Sequence, residues 1–339
     1  MRLSIVIPVY KTPENLFKAC MTSVLSWEGD DIEIVLVIDS PDDSIESVVY
    51  SYACADDRVR VLRNDKNMGP SYSRNRGIDA ARGNYVMMVD ADDKIKPDIC
   101  AKALAVCESE CLAFCAVSRA YPWQKELNKA QKGTGRLFRG RLCIDSYGGI
   151  LRILTNVDMS SSGIVFDKKL LDLKHLRYPE DLRQNEDFVF VTSLLATGVE
   201  AGLWDECGYD VVWHSGSLSG NTSARRFVDE LCAGSRILQI LKGIDLPVDI
   251  ARFYAEHGYN QIFEGWRTLD SARRKELAQY NLPLGVTIGE YLERYRSILC
   301  LVARVAARLS AVAPCFLFKP LPLCNWLFRA SRKAGLYYR

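Results

Sequence analysis

Three aspartates, Asp90, Asp92 and Asp93, fall within four positions directly after the apolar run Tyr85 to Val89 in GNYVMMVDADD. The run reads as a strand hidden on at least one face, whereas ionised carboxyls resist burial unless something neutralises them. A cation together with a polyanionic ligand would do so. Along an extended segment, with Ala91 between them, Asp90 and Asp92 can turn toward one ligand. Oxygen ligation of this kind suits Mg2+ or Mn2+, completed by phosphate oxygens and water. The bland alternative is a turn whose acids cap the next helix. Asp39, the loop NMGPSYSRNRG and the pair Glu186-Asp187 all argue against it.

Glu186 and Asp187 open a segment in which Phe188, Val189, Val191, Leu194 and Leu195 are dense enough for a well-buried helix to about Ala196. Acids in a first helical turn are favourable by roughly 0.3–1 kcal/mol each, which is their reading without chemistry. Their chemical reading is a carboxylate base. His214 is one of three histidines in the chain and lies between Trp213 and Ser215, ahead of a Gly-Ser loop. A lone histidine is usually structural, but this placement favours a ligand.

The elements that must position these groups follow from periodicity. Ser4 to Val9, Ile32 to Ile38, Val59 to Leu62 and Tyr85 to Val89 read as strands, and helices are expected from Pro13 to about Leu25 and up to about Cys54. DSPDDS reads as a turn that caps the second helix. NDKNMGPSYSRNRGIDAARG reads as a loop running into a third. Strand alternating with helix implies a mostly parallel sheet covered on both faces. Ligands of such sheets sit beyond the carboxyl ends of the strands, where Asp39 and Asp90 both fall. A helix from Ile99 to about Cys107, a strand from Leu112 to Val117, and a loop leading from Asn156 into a strand follow. Residues 119 to 141 carry seven basic residues and one acid, either a solvated loop or a basic lining for an anionic acceptor.

With 339 residues and 48% hydrophobic residues the chain has ample core and is not disordered. Its net charge of +2 hides a gradient: 12 basic against 17 acidic residues in positions 1 to 100, then 9 basic and no acidic residues from Arg294 to Arg339. The twelve cysteines are scattered through apolar segments, as free thiols of a reducing compartment are, and Cys107, Cys111 and Cys115 make a poor zinc site. MRLSIVIPVY is too short an apolar run for a signal peptide, and no segment reaches 18 uncharged apolar residues. From Asn221 onward the pattern is largely helical. In the tail, Ile298, Leu301, Val302, Val305 and Leu309 share one helical face and Arg304 and Arg308 another, beside Trp326, Tyr337 and Tyr338. Such a tail either folds onto the preceding domain or lies on a membrane surface rich in anionic lipid.

In order and spacing, SIVIPVYKTPENLFKACMTSVL, EIVLVIDSPDDS, NDKNMGPSYSRNRGIDAARGNYVMMVDADD, GIVFDKKLL through YPEDLRQNEDFVF, and WHSGSLS resemble the inverting glycosyltransferases of family 2 across roughly residues 3 to 220. The resemblance implies a GT-A type α/β fold with a mostly parallel central sheet flanked by helices and a helical C-terminal extension. It implies a catalytic domain at 1–220, with a nucleotide-binding half at about 1–100 and an acceptor-side half at about 101–220, then a helical region at 221–339. The implied reaction moves a sugar from a nucleotide-diphosphate sugar, with a UDP-sugar expected, to a hydroxyl of a glycan or lipid-linked acceptor in cell-surface polysaccharide synthesis. Mn2+ or Mg2+ is the implied cofactor.

Residue by residue, Asp39 matches the acid that contacts the nucleoside. The family commonly has two acids followed by Gly and Ser, whereas here Ile38-Asp39-Ser40-Pro41 lacks the first acid. Pro8, Val9 and Tyr10 lie where the backbone meets the base, and Asn67 and Gly69 form the Asn-x-Gly turn near the nucleotide. Arg74 matches an arginine that either holds the loop through carboxylates or approaches the diphosphate; Arg76 suits the loop-holding role. Asp90, Ala91 and Asp92 match the DxD motif, with Asp92 the stronger metal ligand, Asp90 either a weaker one or acting through ribose or water, and Asp93 a supporting acid or helix cap. Asp187 matches the general base, Glu186 its support, and His214 a residue completing metal or diphosphate binding, ahead of Ser217 and Ser219.

The rival enzyme is a sugar or lipid nucleotidyltransferase, which would want a basic Gly-rich loop where this chain has VYKTPEN. The non-enzymatic rival is a membrane-peripheral scaffold with an inactive site. A dinucleotide dehydrogenase is disfavoured because no GxGxxG follows the first strand, and no nucleic-acid partner is expected. The expected location is cytoplasmic, peripheral on the inner face of the cell membrane if the tail binds lipid, and a homo-oligomer is compatible with all of this.

Overall fold

The structure is a computed structural model and describes residues 1–40, 44–122, 135–143, 149–157, 160–214, 224–242 and 244–247. In chain order the first elements are β1 (Leu3–Val9), α1 (Glu14–Leu25), β2 (Ile32–Ile38), α2 (Glu46–Ala55), β3 (Val59–Arg63), α3 (Pro70–Ala80) and β4 (Tyr85–Met88). Next come β5 (Lys94–Ile95), α4 (Pro97–Ser109), β6 (Phe114–Ala120), β7 (Leu137–Gly140), α5 (Gly149–Val157) and β8 (Ile164–Asp167). The last are α6 (Lys168–Leu173), α7 (Glu186–Leu195), β9 (Ala201–Asp210) and α8 (Ala224–Leu241).

The nine strands form one sheet in the order β3-β2-β1-β4-β8-β6-β9-β5, with β7 paired to β9. The first four are mutually parallel, as their βα spacing requires. Beyond β4 the sheet is mixed. β8 runs antiparallel to β4 and β6, β9 is parallel to β6, and the short β5 and β7 run against β9. Six of the nine strands therefore share one direction, so the sheet is mixed but mostly parallel. Both faces of the β1–β2 core are covered, which is why LSIVIPV and IEIVLVI read as continuous apolar runs: every residue of β2 is buried, Glu33 included.

Helix α3 approaches β1 more closely than any side chain would allow at Gly77. A Cβ there would lie 2.2 Å from Val6 Cγ1. This contact seats the helix on the sheet, and Arg74, one turn earlier on the same face, is thereby delivered to the carboxyl end of β4. The helix starts with Pro70 after Gly69, whose φ of 94° and ψ of 168° suit glycine alone.

Several expectations need correction. Ile45, not a residue of DSPDDS, stands at the N-cap of α2, and no side chain caps it; residues 41–43 lie outside the described residues. The segment 119–141 is not wholly loop, because β7 forms within it. Arg139 is engaged by Glu110 and Glu200, and Arg119 is buried, so neither is a free lining for an anion. Helix α5 had no counterpart in the periodicity reading, and the long strand β9 was anticipated only as a short apolar strand ahead of His214. β9 carries Gly202, Asp205, Glu206 and Gly208 among its apolar residues, which blurs its alternation.

By internal contacts the chain divides into Met1–Thr268 and Leu269–Arg339, and the described residues all belong to the first unit. No helix among the described residues is long and apolar enough to cross a membrane. The basic tail, and with it Ser217, Ser219 and most of the basic segment 119–141, lies outside the described residues.

Candidate active site

The site is built where several chain segments converge on the carboxyl ends of β2 and β4. At the end of β2, the buried Asp39 carboxylate accepts from Asn64 Nδ2 at 2.7 Å, the Met68 N–H at 2.9 Å and the Gly69 N–H at 2.8 Å. Three of its roughly four acceptor positions are thus spent on shaping the loop before α3. Arg76 clamps the same loop through the Arg63 carbonyl and Asn64 Oδ1, both at 2.6 Å. Asn67 accepts from Arg183 at 3.1 Å, and that guanidinium lies over Gly69, 3.1 Å from where a Cβ would stand. The Asn-x-Gly turn is therefore rigidly held from both sides. On the neighbouring strand end Pro8 and Val9 complete β1, the Val9 carbonyl accepts from the Asp39 N–H at 2.9 Å, and Tyr10 is exposed with Lys11 Nζ 5.3 Å from its ring.

Arg74 is the hub. Its Nη1 lies 2.7 Å from Glu186 Oε1 and 3.2 Å from Asp187 Oδ1, while Nη2 lies 3.1 Å from Asp90 Oδ1. Burial works against the charge, but the carboxylates of Asp187, Asp90 and Glu186 outweigh it and hold the guanidinium firmly protonated. Three carboxyls share one cation. Burial, and then the charge of Asp187, push the Glu186 carboxyl up to about 7, with Arg74 opposing. Of the two roles open to Arg74, carboxylate contacts are the one the geometry realises.

Asp92 follows Asp90 beyond the buried Ala91 and meets His214 Nε2 at 2.9 Å. Burial and the neighbouring Asp90 raise the Asp92 carboxyl above its ordinary range, with His214 opposing. Asp93 is not a helix cap. It accepts from the Tyr209 hydroxyl at 2.8 Å and the Val212 N–H at 2.7 Å, anchoring the chain that leads to His214 against the DADD turn. Among the described residues no group of three or more His, Cys, Asp or Glu side chains is arranged to hold a metal. Asp92 and His214 nonetheless form a carboxylate and imidazole pair. A divalent ion that takes one or two protein ligands and the rest from phosphates fits such a donor set.

Sequence reasoning missed Ser160, Ser161 and Ser162, which lie between α5 and β8. Ser160 Oγ donates to Asp187 Oδ2 at 3.1 Å, and Ser161 donates to Asp187 through its N–H at 3.2 Å and its hydroxyl at 3.0 Å. Ser162 Oγ donates to Asp90 Oδ2 at 2.8 Å. The signal was visible as three consecutive hydroxyls before an apolar strand, but a serine run reads as loop until its partners are known. Arg119 was likewise read only as part of a basic tract. It is buried beneath the Tyr209 ring and donates to the Ser160 and Ser162 carbonyls. A separate cavity of about 890 Å3 opens at the other end of β4, near Arg82, Asn84 and Lys169. None of the acids above lines it.

Residues 4–172 match the family model described as Glycosyl transferase family 2. Succinoglycan biosynthesis protein ExoO of Rhizobium meliloti (strain 1021) is 28% identical over 227 residues, covering 64% of this chain and 62% of that protein. The chain thus spans less than two thirds of that relative's length. S. aureus TarS 1-349 in complex with UDP has a TM-score of 0.67 at 17% identity, covering 100% of this chain and 93% of that one. Mannosyltransferase PcManGT from Pyrobaculum calidifontis, in complex with GDP-Man and Mn2+, has a TM-score of 0.54 at 13% identity, covering 99% and 87%. At these identities the likeness is one of fold. By the match of residues 4–172, which takes in the strand-end acids and the DADD turn, the chain belongs to glycosyl transferase family 2.

Proposed function

We propose that this protein transfers a sugar from a nucleotide-diphosphate sugar to a hydroxyl of a glycan or lipid-linked acceptor, by direct displacement with inversion and with help from Mn2+ or Mg2+. A UDP-sugar is the proposed donor. The observation that carries the reading is the Arg74 bridge: a single guanidinium holds the strand-end acid Asp90 and the helix-start acids Glu186 and Asp187 within 3.2 Å. It brings the donor-side turn and the acceptor-side base to one place, with Asp92 and His214 adjoining. The UDP held by TarS and the GDP-Man and Mn2+ held by PcManGT, both of this fold, support the choice of ligands. The ExoO likeness supports polysaccharide synthesis.

In this mechanism the loop set by Asp39, Asn67 and Gly69 receives the nucleoside beside the Val9 and Tyr10 backbone. Asp92 and His214 would hold the divalent ion, which neutralises charge on the departing diphosphate. Asp187 accepts the proton of the acceptor hydroxyl as the glycosidic bond forms. A carboxylate suffices there, because that hydroxyl becomes acidic only as the bond develops. Glu186 and Arg74 keep Asp187 in place. The test is thermal unfolding of the full chain against UDP-, GDP- and dTDP-sugars, each with Mn2+ or with EDTA. A rise for one sugar nucleotide that EDTA abolishes supports the reading; no rise with any of them overturns it in favour of a scaffold.

A further inference from the structure

Both oxygens of the proposed base are engaged within the protein, by three hydrogen bonds and one ion pair. Asp187 Oδ1 receives the Ser161 hydroxyl and Arg74, and Oδ2 receives the Ser160 hydroxyl and the Ser161 N–H. Oδ2 already accepts two hydrogen bonds, about the two lone pairs that one carboxylate oxygen offers, so a substrate hydroxyl reaches that oxygen only by replacing one of its donors. Three of the four are fixed. Ser161 is fully buried and its hydroxyl also accepts from Tyr178 at 2.7 Å, Arg74 is buried against three acids, and the Ser161 N–H belongs to the backbone. The Tyr178 ring is itself stacked on Phe190 of α7, with centroids 4.0 Å apart. The Ser160 hydroxyl alone sits on a half-buried residue, and it accepts in turn from the Ser162 N–H at a long 3.4 Å.

The next residue reaches the other acid, because Ser162 Oγ donates to Asp90 Oδ2. Arg119 holds the segment from behind through the carbonyls of Ser160 and Ser162. Its partner in the sheet register, Tyr209, also donates to Asp93, so the segment, the DADD turn and the β6–β9 bulge form one connected unit.

We propose that Ser160–Ser162 is a positioning segment that sets the two acids in one register, Ser161 orienting Asp187 and Ser162 orienting Asp90, while the Ser160 hydroxyl gives way to the acceptor hydroxyl. This rests on the transfer reading above. Proton transfer then runs from the acceptor oxygen to Asp187 Oδ2, the oxygen that Ser160 vacates, as that acceptor oxygen bonds to the sugar and the bond to the diphosphate breaks.

The experiment measures Mn2+-dependent UDP release from UDP-glucose, UDP-galactose and UDP-N-acetylglucosamine, with water as acceptor, in the full chain and its variants. Ser161→Ala is expected to lower kcat by ~10-fold or more, as loss of a hydrogen bond to a charged group implies, with donor KM within about 2-fold. Ser162→Ala is expected to raise donor KM by ~10-fold with the smaller effect on kcat. Ser160→Ala removes the donor that the acceptor hydroxyl must displace and is expected to raise kcat by about 2-fold or more, opposite in sign to Ser161→Ala. Tyr178→Phe preserves the stacked ring and is expected to repeat the Ser161→Ala pattern in weaker form, which covers the case in which Ser161→Ala does not fold. Equal changes in kcat and KM for the Ser161 and Ser162 variants, or a large kcat loss in Ser160→Ala, would overturn the inference alone. Absence of UDP release from all three donors by the parent protein would overturn it together with the reading on which it rests.

Discussion

Replacing Arg74 by methionine removes the cation while keeping a side chain of similar length. Asp90, Glu186 and Asp187 then face one another without the cation they share, since Arg74 lies 3.1, 2.7 and 3.2 Å from them in turn. Breaking a buried ion pair by removing one partner costs about 3–5 kcal/mol, because the remaining charge stays desolvated. For a unit of this size that corresponds to a fall in Tm of roughly 6–20 °C. The loss must also depend on pH. Glu186 already stands at about 7, raised by burial and Asp187, and losing Arg74 pushes it higher. A carboxyl whose folded pKa exceeds its unfolded value binds more protons when folded, so its penalty is absent below the unfolded pKa and complete above the folded one. Thermal unfolding at about pH 5 and about pH 8 should therefore show the larger loss at the higher pH. Adding Glu186→Gln to the variant should recover part of that loss. A Tm change under about 2 °C, or an equal loss at both pH values, would refute the ion-cluster account of this site.

Other consequences are open to direct measurement. Gly69→Ala forces a side chain into a backbone region reserved for glycine and against the Arg183 guanidinium; calorimetry should show a loss of about 1–3 kcal/mol with weakened UDP binding. His214→Ala should reduce the Mn2+-dependent part of UDP binding by ~10-fold or more while leaving the Tm of the free protein nearly unchanged. In the parent protein the same Mn2+-dependent binding should fade on acidification at a higher pH than an ordinary carboxylate would give, because burial and Asp90 raise Asp92 and only its ionised form can bind the metal. For the tail, Arg304→Glu with Arg308→Glu in the full chain should abolish co-sedimentation with phosphatidylserine vesicles; unchanged sedimentation would reject membrane contact there.

The nucleotide half was legible because its chemistry coincides with its periodicity. β2 was placed at its observed bounds, β1, β3 and α1 to within a few residues, and α3 only as a helix somewhere within NDKNMGPSYSRNRGIDAARG, since buried parallel strands are unbroken apolar runs and α1 carries its own start signal. The pairing of Asp92 with His214, 122 residues apart, followed from motif order, and the structure brings them to 2.9 Å. What escaped is what depends on long-range contact. The short strands β5 and β7 exist only because β9 offers them a ladder, and β9 mixes glycines and acids into its run. The role of Ser160–Ser162 lies in the carboxylates they meet, 26, 27 and 72 residues away in the chain. Arg74 was ambiguous for the same reason: an arginine on an early helix carries no sign of which acids will surround it.

The central claim is that Asp187 is the base at the place where the DADD turn presents its donor. Asp187→Asn keeps the shape of the side chain and removes its capacity to take up the proton, with an amide nitrogen in place of one of the acceptor oxygens. Calorimetry with UDP and Mn2+ alongside UDP release from the donor that best protects the protein tests it directly. Binding within about 3-fold of the parent, with turnover lowered by about 100-fold or more, is the predicted result. Turnover retained at the parent rate by a folded Asp187→Asn protein would contradict the account.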